Sequence, residues 1–398
     1  MKLTQVRGNT WVLDSWELIP LYKLDDHRCV LLDTGTVEQR EDLEDTLDEA
    51  GLTPVAILGS HTHIDHMGSH AYFQKTRGTQ VVMSLGEAGQ IFSPLGLQLQ
   101  YNNFPMALFP DYPELGTAPC VPDRVILPGE EAVTLFGATF GILRTPGHTV
   151  DHICVRTPDD VLYVADAMMT GRTLHYAKFP YALSMETYLD SMVKLREAKA
   201  ACYVVAHKGI YEDIRPFIDL ELQFLRQRME ELADLMTGPT TPKDLTVAIC
   251  QTYQVGTQNP RTLAYFEHAS EVYLRYLVSQ GLAELRVEKG RLVYRRVQRP
   301  ARAVAAMPSS WVMSRMVVPS RYSSRRISST CRPVLESRAP VGSSAMIMGG
   351  WVAMARAMAT RCCWPPDIWL GRWWARSSIP TRARASMAMS SRSHTETP

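Results

Sequence analysis

A mixed α/β fold followed by a small helical module is the class that three features of the sequence predict. Short apolar runs ending in turn residues alternate with helical spacings through residues 1–211. Several of those runs stop on a His or an Asp. From 212 to 297 the pattern changes to three helical stretches and a hairpin, and from 298 to 398 it lacks sustained periodicity.

The first part reads in order as follows. Val30-Leu31-Leu32 is a strand running into the turn Asp33-Thr34-Gly35. Residues 37–51 form a helix with Leu43, Leu47 and Ala50 on one face and Gly51 as its stop. Val55–Leu58 and Gln80–Met83 are strands. Residues 93–123, rich in Pro and aromatics without a period, read as a long loop or insertion. Strands resume at Thr139–Arg144, His152–Arg156 and Val161–Val164. A helix spans Ser184–Lys199 on the spacing of Tyr188, Met192 and Leu195, and Tyr203-Val204-Val205 closes the series.

In the second part, Phe217–Leu235 reads as a long amphipathic helix. Thr241-Pro242-Lys243-Asp244 caps a second, and Ser270–Ser279 forms a third, stopped by Gly281. Leu282–Val287 and Arg291–Val297 pair about the turn Glu288-Lys289-Gly290. Three helices and a two-stranded ribbon outline a winged-helix-like module.

Charge divides the chain further. From position 301 there are fourteen Arg, no Lys and three acidic residues, Glu336, Asp367 and Glu396. With a whole-chain charge of +1, the first 300 residues therefore carry −10. The tail also holds six of the eight Trp and nine of the nineteen Met. It reads as disordered or as out-of-frame translation of GC-rich DNA, without a stable fold. No N-terminal apolar run suggests a signal peptide, and no stretch reaches the roughly 18 uncharged apolar residues of a membrane span. Scattered cysteines fit a reducing cytosol better than a disulfide framework. A soluble, cytoplasmic protein without membrane contact is the expectation; no feature fixes its oligomeric state.

The chemistry begins at His61-Thr62-His63-Ile64-Asp65-His66, directly after the strand Val55–Leu58. In an extended loop, residues two apart face one side, so His61 and His63 can grip one cation. Asp65 and His66 fall opposite and can serve a second. Imidazole and carboxylate suit zinc, and also iron or manganese. One loop cannot close two sites. Further ligand candidates stand at strand ends downstream: His148 after a Pro-Gly turn, Asp166 after Val161–Ala165, and His207 after Val204-Val205-Ala206.

This series resembles the metallo-β-lactamase superfamily, the glyoxalase II-like branch in particular, over about residues 1–210. The resemblance implies a four-layer αββα sandwich with metals at one edge of the paired sheets. It implies that His61, His63 and His148 hold one zinc ion, that Asp65, His66 and His207 hold another, and that Asp166 bridges both. The oxygen reductases of the fold are less similar, because they carry an acidic residue where His63 stands. One departure is Ala206-His207-Lys208-Gly209 in place of the commoner Gly-His-Gly.

A pair of cations roughly 3.5–4 Å apart would share a water and lower its pKa toward about 7, giving a bridging hydroxide. Asp65 is then both a ligand and the catalytic carboxylate that orients the water and handles its proton. The expected activity is metal-dependent hydrolysis of an ester-like bond in a small molecule, with a thioester such as a hydroxyacylglutathione favoured. A phosphodiesterase or ribonuclease, a lactonase or β-lactamase, a mononuclear iron persulfide dioxygenase and a non-enzymatic nucleic-acid-binding regulator are the alternatives. The −10 body argues against phosphate backbones as partners, whereas the 212–297 module keeps nucleic acid in play.

Other residues take lesser parts. His175, Tyr176 and Lys178 follow Asp166 in a loop expected to overhang the metals and contact substrate. His152 supports the site from behind, and Asp33 is a turn-forming structural carboxylate. His70 is not a ligand, and His27, His268 and His394 have no supporting context.

Overall fold

The computed structural model describes residues 1–100, 118–207, 209–256 and 258–297. The tail reading, and residues 101–117 of the expected loop at 93–123, lie outside the described residues.

Two sheets face each other. The first has seven strands in sequence order: β1 (Lys2–Arg7), β2 (Thr10–Asp14), β3 (Leu18–Lys23), β4 (Arg28–Leu32), β5 (Thr53–Leu58), β6 (Gln80–Ser84) and β7 (Arg124–Ile126). Its first four strands form an antiparallel meander, and β4, β5, β6 and β7 run parallel. The second sheet has the order β13-β12-β11-β10-β9-β8. Its strands are β8 (Ala132–Leu135), β9 (Ala138–Arg144), β10 (Ile153–Arg156), β11 (Val161–Ala165), β12 (Cys202–Val205) and β13 (Gly209–Tyr211). Only β11 and β12 pair in parallel there.

Strand alternation builds the layers. In β4, Val30 and Leu32 enter the core between the sheets, while Cys29 and Leu31 face the helices α1 (Arg40–Glu49) and α3 (His70–Arg77). In β11, Tyr163 and Ala165 point to the inter-sheet core; Leu162 and Val164 point to the opposite face, where α7 (Met185–Glu197) packs with Tyr188, Met192 and Leu195. The result is the helix–sheet–sheet–helix sandwich that the resemblance implies.

Helices α8 (Arg215–Leu235), α9 (Pro242–Thr252) and α10 (Pro260–Ser279) and the ribbon β14 (Ala283–Glu288)/β15 (Arg291–Arg296) follow. Thr241 caps α9 with Pro242 at the first turn, as expected, and Asp244 completes a capping box with it. The third helix is twice as long as the sequence suggested: Asn259 caps it and Pro260 opens it. These helices share one apolar cluster with α7, β11 and β12, through Leu225, Ile249, Tyr273 and Leu277. The expected loop at 93–123 also needs correction. Helix α5 (Pro94–Gln100) follows α4 (Leu85–Ile91), with Pro94 opening its first turn and the buried Leu97 anchoring it despite Gly96.

Glu221 joins α8 to the sandwich. It is fully buried and accepts from Met169 N at 2.6 Å and Tyr188 Oη at 2.7 Å. Burial raises its carboxyl from 4.5 to about 7, against the pull of those two donors. A carboxyl raised in the fold contributes stability that is full below its unfolded pKa and lost as pH rises through its folded one. Glu221→Gln is therefore expected to gain stability relative to wild type between pH 5 and pH 8. The gain is on the order of 3 kcal/mol, at about 1.4 kcal/mol per unit. Urea unfolding at both pH values checks this; a gap independent of pH contradicts it.

Candidate metal centre

The C-terminal ends of β4, β5, β11 and β12 and the β9–β10 turn meet at one edge of the sandwich. Beyond β5 the chain runs through Ser60, His61 and Thr62 to His63, which caps a single helical turn, α2 (Ile64–Met67). The loop is therefore extended only as far as His63, and the turn throws Asp65 and His66 to a different side from His61 and His63. At the end of β11, Ala165 adopts φ +45° beside an irregular register with β12, which aims Asp166 inward. Gly147, at φ +121°, precedes His148; a Cβ there would lie 2.2 Å from Tyr188 N, so only glycine lets this turn approach α7.

Two ligand-capable groups result. His61, His63, His148 and Asp166 form one; Asp65, His66, Asp166 and His207 form the other, the ligand atoms of each lying within 4.8 Å of one another. Asp166 belongs to both. Its Oδ2 is 3.5 Å from His148 Nε2, whereas its Oδ1 lies 3.4 Å from His66 Nε2 and 3.3 Å from His207 Nε2. Asp65 Oδ2 is 3.4 Å from His207 Nε2.

The support behind these residues fixes their tautomers. Asp33, buried after β4, accepts from Ser60 N through Oδ1 and from Ser60 Oγ, Tyr163 Oη and His66 Nδ1 through Oδ2, at 2.6–2.9 Å. Since the Ser60 hydroxyl proton goes to Asp33, His61 Nδ1 donates to Ser60 Oγ at 2.9 Å. His148 Nδ1 donates to Tyr181 O at 3.1 Å. The Nε2 atoms of His61, His66 and His148 are thereby turned into the site. Asp33, His61 and His66 also cluster, but through Nδ1 atoms committed to this support. The sequence reading of Asp33 as a turn residue is half the account: it does sit at φ +67°, yet it also orients two of the imidazoles.

Glu87 of α4 performs a similar task between loops. Its Oε2 accepts from Thr62 N and Thr62 Oγ1, and its Oε1 from Thr149 Oγ1 and Asp151 N. One buried carboxylate thus sets the spacing of the His61–His63 loop from the His148 turn. His152, buried behind the site, joins Thr145 Oγ1 through Nδ1 and accepts from Asp166 N through Nε2 at 3.3 Å.

The donor set fits metal. His63 Nδ1 lies 3.1 Å from His61 Nε2 and 2.9 Å from His148 Nε2. With both Nε2 atoms presenting lone pairs, one proton on His63 can serve them only in part, whereas a cation serves all three. Burial first, and the neighbouring imidazoles second, hold His61 and His63 well below the usual histidine range, so both rings are neutral, the form that can accept a cation. In the second group burial also opposes charge, but Asp166 and Asp65 outweigh it and hold His66 and His207 above that range. His66 Nε2 and Asp166 Oδ1 are buried without a hydrogen-bond partner. Orphaned atoms facing one another across 3.4 Å are what a cation site presents.

A metallo-beta-lactamase superfamily profile matches residues 5–207, half of the chain and all of this ligand set. The chain belongs to the metallo-beta-lactamase superfamily. It is a hydrolase of that superfamily, with His and Asp groups positioned to bind metal. It is 26% identical over 192 residues to hydroxyacylglutathione hydrolase GloC of Haemophilus influenzae, covering 48% of this chain and 84% of that protein. It is 25% identical over 272 residues to an atrochrysone carboxyl ACP thioesterase of Claviceps purpurea, covering 67% and 76%. Among solved structures, a metallo-beta-lactamase family protein from Thermus thermophilus matches with a TM-score of 0.55 and 23% identity, over 71% of this chain and 94% of that one. A beta-lactamase domain protein from Burkholderia ambifaria matches at 0.57 and 17%, over 74% and 94%. These two likenesses bear on the fold.

The metallo-beta-lactamase sandwich places the other nominated residues less centrally. His175 and Tyr176 lie exposed on α6 (Gly171–Ala177), and Lys178 Nζ donates to Tyr253 O at 2.7 Å. The same helix ties itself to the centre through Thr173 Oγ1, which donates to His207 O. The Tyr181 ring, by contrast, meets the first group, 5.1 Å from His63 and 5.7 Å from His148. His268 of α10 stacks on Tyr181 at 5.0 Å and hydrogen-bonds to Ala182 O, so the expectation that it lacks context is corrected. No local signal marks it, since it reaches the centre only by the packing of α10. Sequence reasoning also missed Glu87, whose neighbours show no motif. Among the described residues, no helix is long and apolar enough to cross a membrane.

Proposed function

We propose that this hydrolase cleaves thioesters of small molecules using two divalent cations, zinc in the first instance, held by His61, His63 and His148 on one side, Asp65, His66 and His207 on the other, and Asp166 between them. The observation that carries the reading is the division of Asp166, one oxygen toward each imidazole group. Hydroxyacylglutathione is a thioester, and the two relatives named above, a hydroxyacylglutathione hydrolase and a thioesterase, support that bond as the target.

Bound cations would supply an ionised water at neutral pH and polarise the acyl oxygen. The chain's own residues do the rest. Asp33, Ser60 and the Tyr181 carbonyl keep the imidazoles in the ligand tautomer. Asp65 keeps about a fifth of its side chain exposed (22%), against 8% for Asp166. It is thus the carboxylate open to the substrate side, suited to orient the attacking water and take its proton. The acidic −10 body favours a small substrate over a phosphate backbone. All five cysteines among the described residues are free thiols, which supports a reducing compartment such as the cytosol.

Metal quantitation of the purified protein, followed by thioester, lactone, β-lactam and phosphodiester substrates, tests this. Two zinc ions per chain and fastest turnover of an S-acylglutathione are expected. One iron per chain without thioester turnover would replace hydrolysis by oxidation.

A further inference from the structure

The β2–β3 turn, Ser15-Trp16-Glu17, runs beside the second ligand group. Leu18 N donates to Ala206 O at 2.9 Å, which pins the turn to the residue before His207. The Trp16 ring meets His207 edge-on at 5.4 Å. Glu17 itself is only 1% exposed, and neither of its carboxylate oxygens has a hydrogen-bond partner. The charges that act on it are those of His66, Asp65, His207 and Asp166, which together are the whole second group.

The contrast with the other buried carboxylates is informative. Asp33 takes four donors, Glu87 four and Glu221 two. Where a buried acid holds the fold together, this protein surrounds it with N–H and O–H groups. Glu17 is given none, and a buried carboxylate without donors is unfavourable unless a positive charge is near. Burial raises it to about 8 in the chain alone.

We propose that Glu17 is a positioning residue for the second cation: its negative charge, outside the ligand set, strengthens the hold of Asp65, His66, Asp166 and His207 on a divalent ion and leaves the first group unaffected. This rests on the two-cation reading above. In a site screened from water, an added anion acts on a doubly charged ion far more strongly than on the metal-free pocket, where the repulsion of Asp65 and Asp166 works against the attraction of His66 and His207.

The test is a zinc titration of the full, metal-stripped chain against a chromophoric chelator, with melting of the metal-free forms alongside. Wild type is expected to bind two zinc ions. Glu17→Gln, of equal shape, should weaken the second roughly 10- to 100-fold, the span typical of residues just outside a ligand shell, and leave the first unchanged. Metal-free Glu17→Gln should melt at or above wild type at neutral pH, since the cost of keeping a buried, donorless carboxyl protonated is gone; a merely structural role predicts the reverse. Glu17→Met gives a second neutral variant with the same expectation, and Glu17→Asp, which keeps the charge, should restore most of the affinity. Two zinc ions bound to both neutral variants as tightly as to wild type would overturn the proposal alone, as would equal weakening at both sites with a lower melting temperature. A single zinc ion in wild type would overturn the two-cation reading and this proposal with it.

Discussion

Asp166→Ala is expected to abolish thioester hydrolysis and to lower bound metal at both sites at once. The side chain is buried, its two oxygens face different imidazole groups, and no other described residue belongs to both groups with a carboxylate. Loss of a residue that only orients ligands costs about 10- to 100-fold in metal affinity or activity; loss of a shared ligand should exceed that. His61→Ala should be milder in metal content, because His61 serves the first group alone of the two that contain Asp166. Metal analysis and steady-state rates on both variants decide the matter. Wild-type turnover in Asp166→Ala with unchanged metal would defeat the assignment.

The largest effect on stability is expected at Asp33. Asp33→Ala strands four buried donors, Ser60 N, Ser60 Oγ, Tyr163 Oη and His66 Nδ1. Each unsatisfied buried group costs about 1–3 kcal/mol, and alanine is also disfavoured at φ +67°. A loss of roughly 3–5 kcal/mol is reasonable for breaking such a buried cluster. At about 2–4 °C per kcal/mol for a chain of this size, the melting temperature should fall by roughly 10 °C. Asp33→Asn tests orientation separately from stability. Asparagine tolerates the left-handed backbone and still accepts from Ser60 N, but its amide would oppose the His66 Nδ1 proton. It should therefore melt closer to wild type while binding metal more weakly. If Asp33→Ala melts within a degree or two of wild type, the network is not what holds this edge.

How far the sequence reaches is clear from these same residues. His61, His63, Asp65 and His66 are legible because they crowd into six positions. Asp166 and His207 are legible because each ends an apolar strand, where a polar group needs a reason, and His148 because a Pro-Gly turn after a strand exposes it. The helices that pack by regular spacing, α1, α7 and α8, were legible too. By contrast, β1–β3 carry no signal as strong as a motif, and α5 is obscured by Gly96 and by its short length, although Pro94 stands at its first position. The first half of α10 was missed because its Asn259-Pro260 start was not recognised.

The supporting residues were beyond reach for another reason. Tyr163 meets Asp33 across 130 positions, Glu87 meets Thr149 across 62, and Glu17 approaches a group whose members run from Asp65 to His207. Neither spacing nor composition encodes such distances. Only the stacking of two sheets brings them together.

Local order along the chain thus determined which side chains offer lone pairs and at which strand ends they stand, because apolar alternation and turn residues are short-range properties. The tertiary structure decided which nitrogen of each imidazole faces inward, how Asp166 divides its oxygens, and that Glu17 lies buried without donors. Those facts depend on hydrogen bonds and burial between segments that only the closed sandwich makes neighbours.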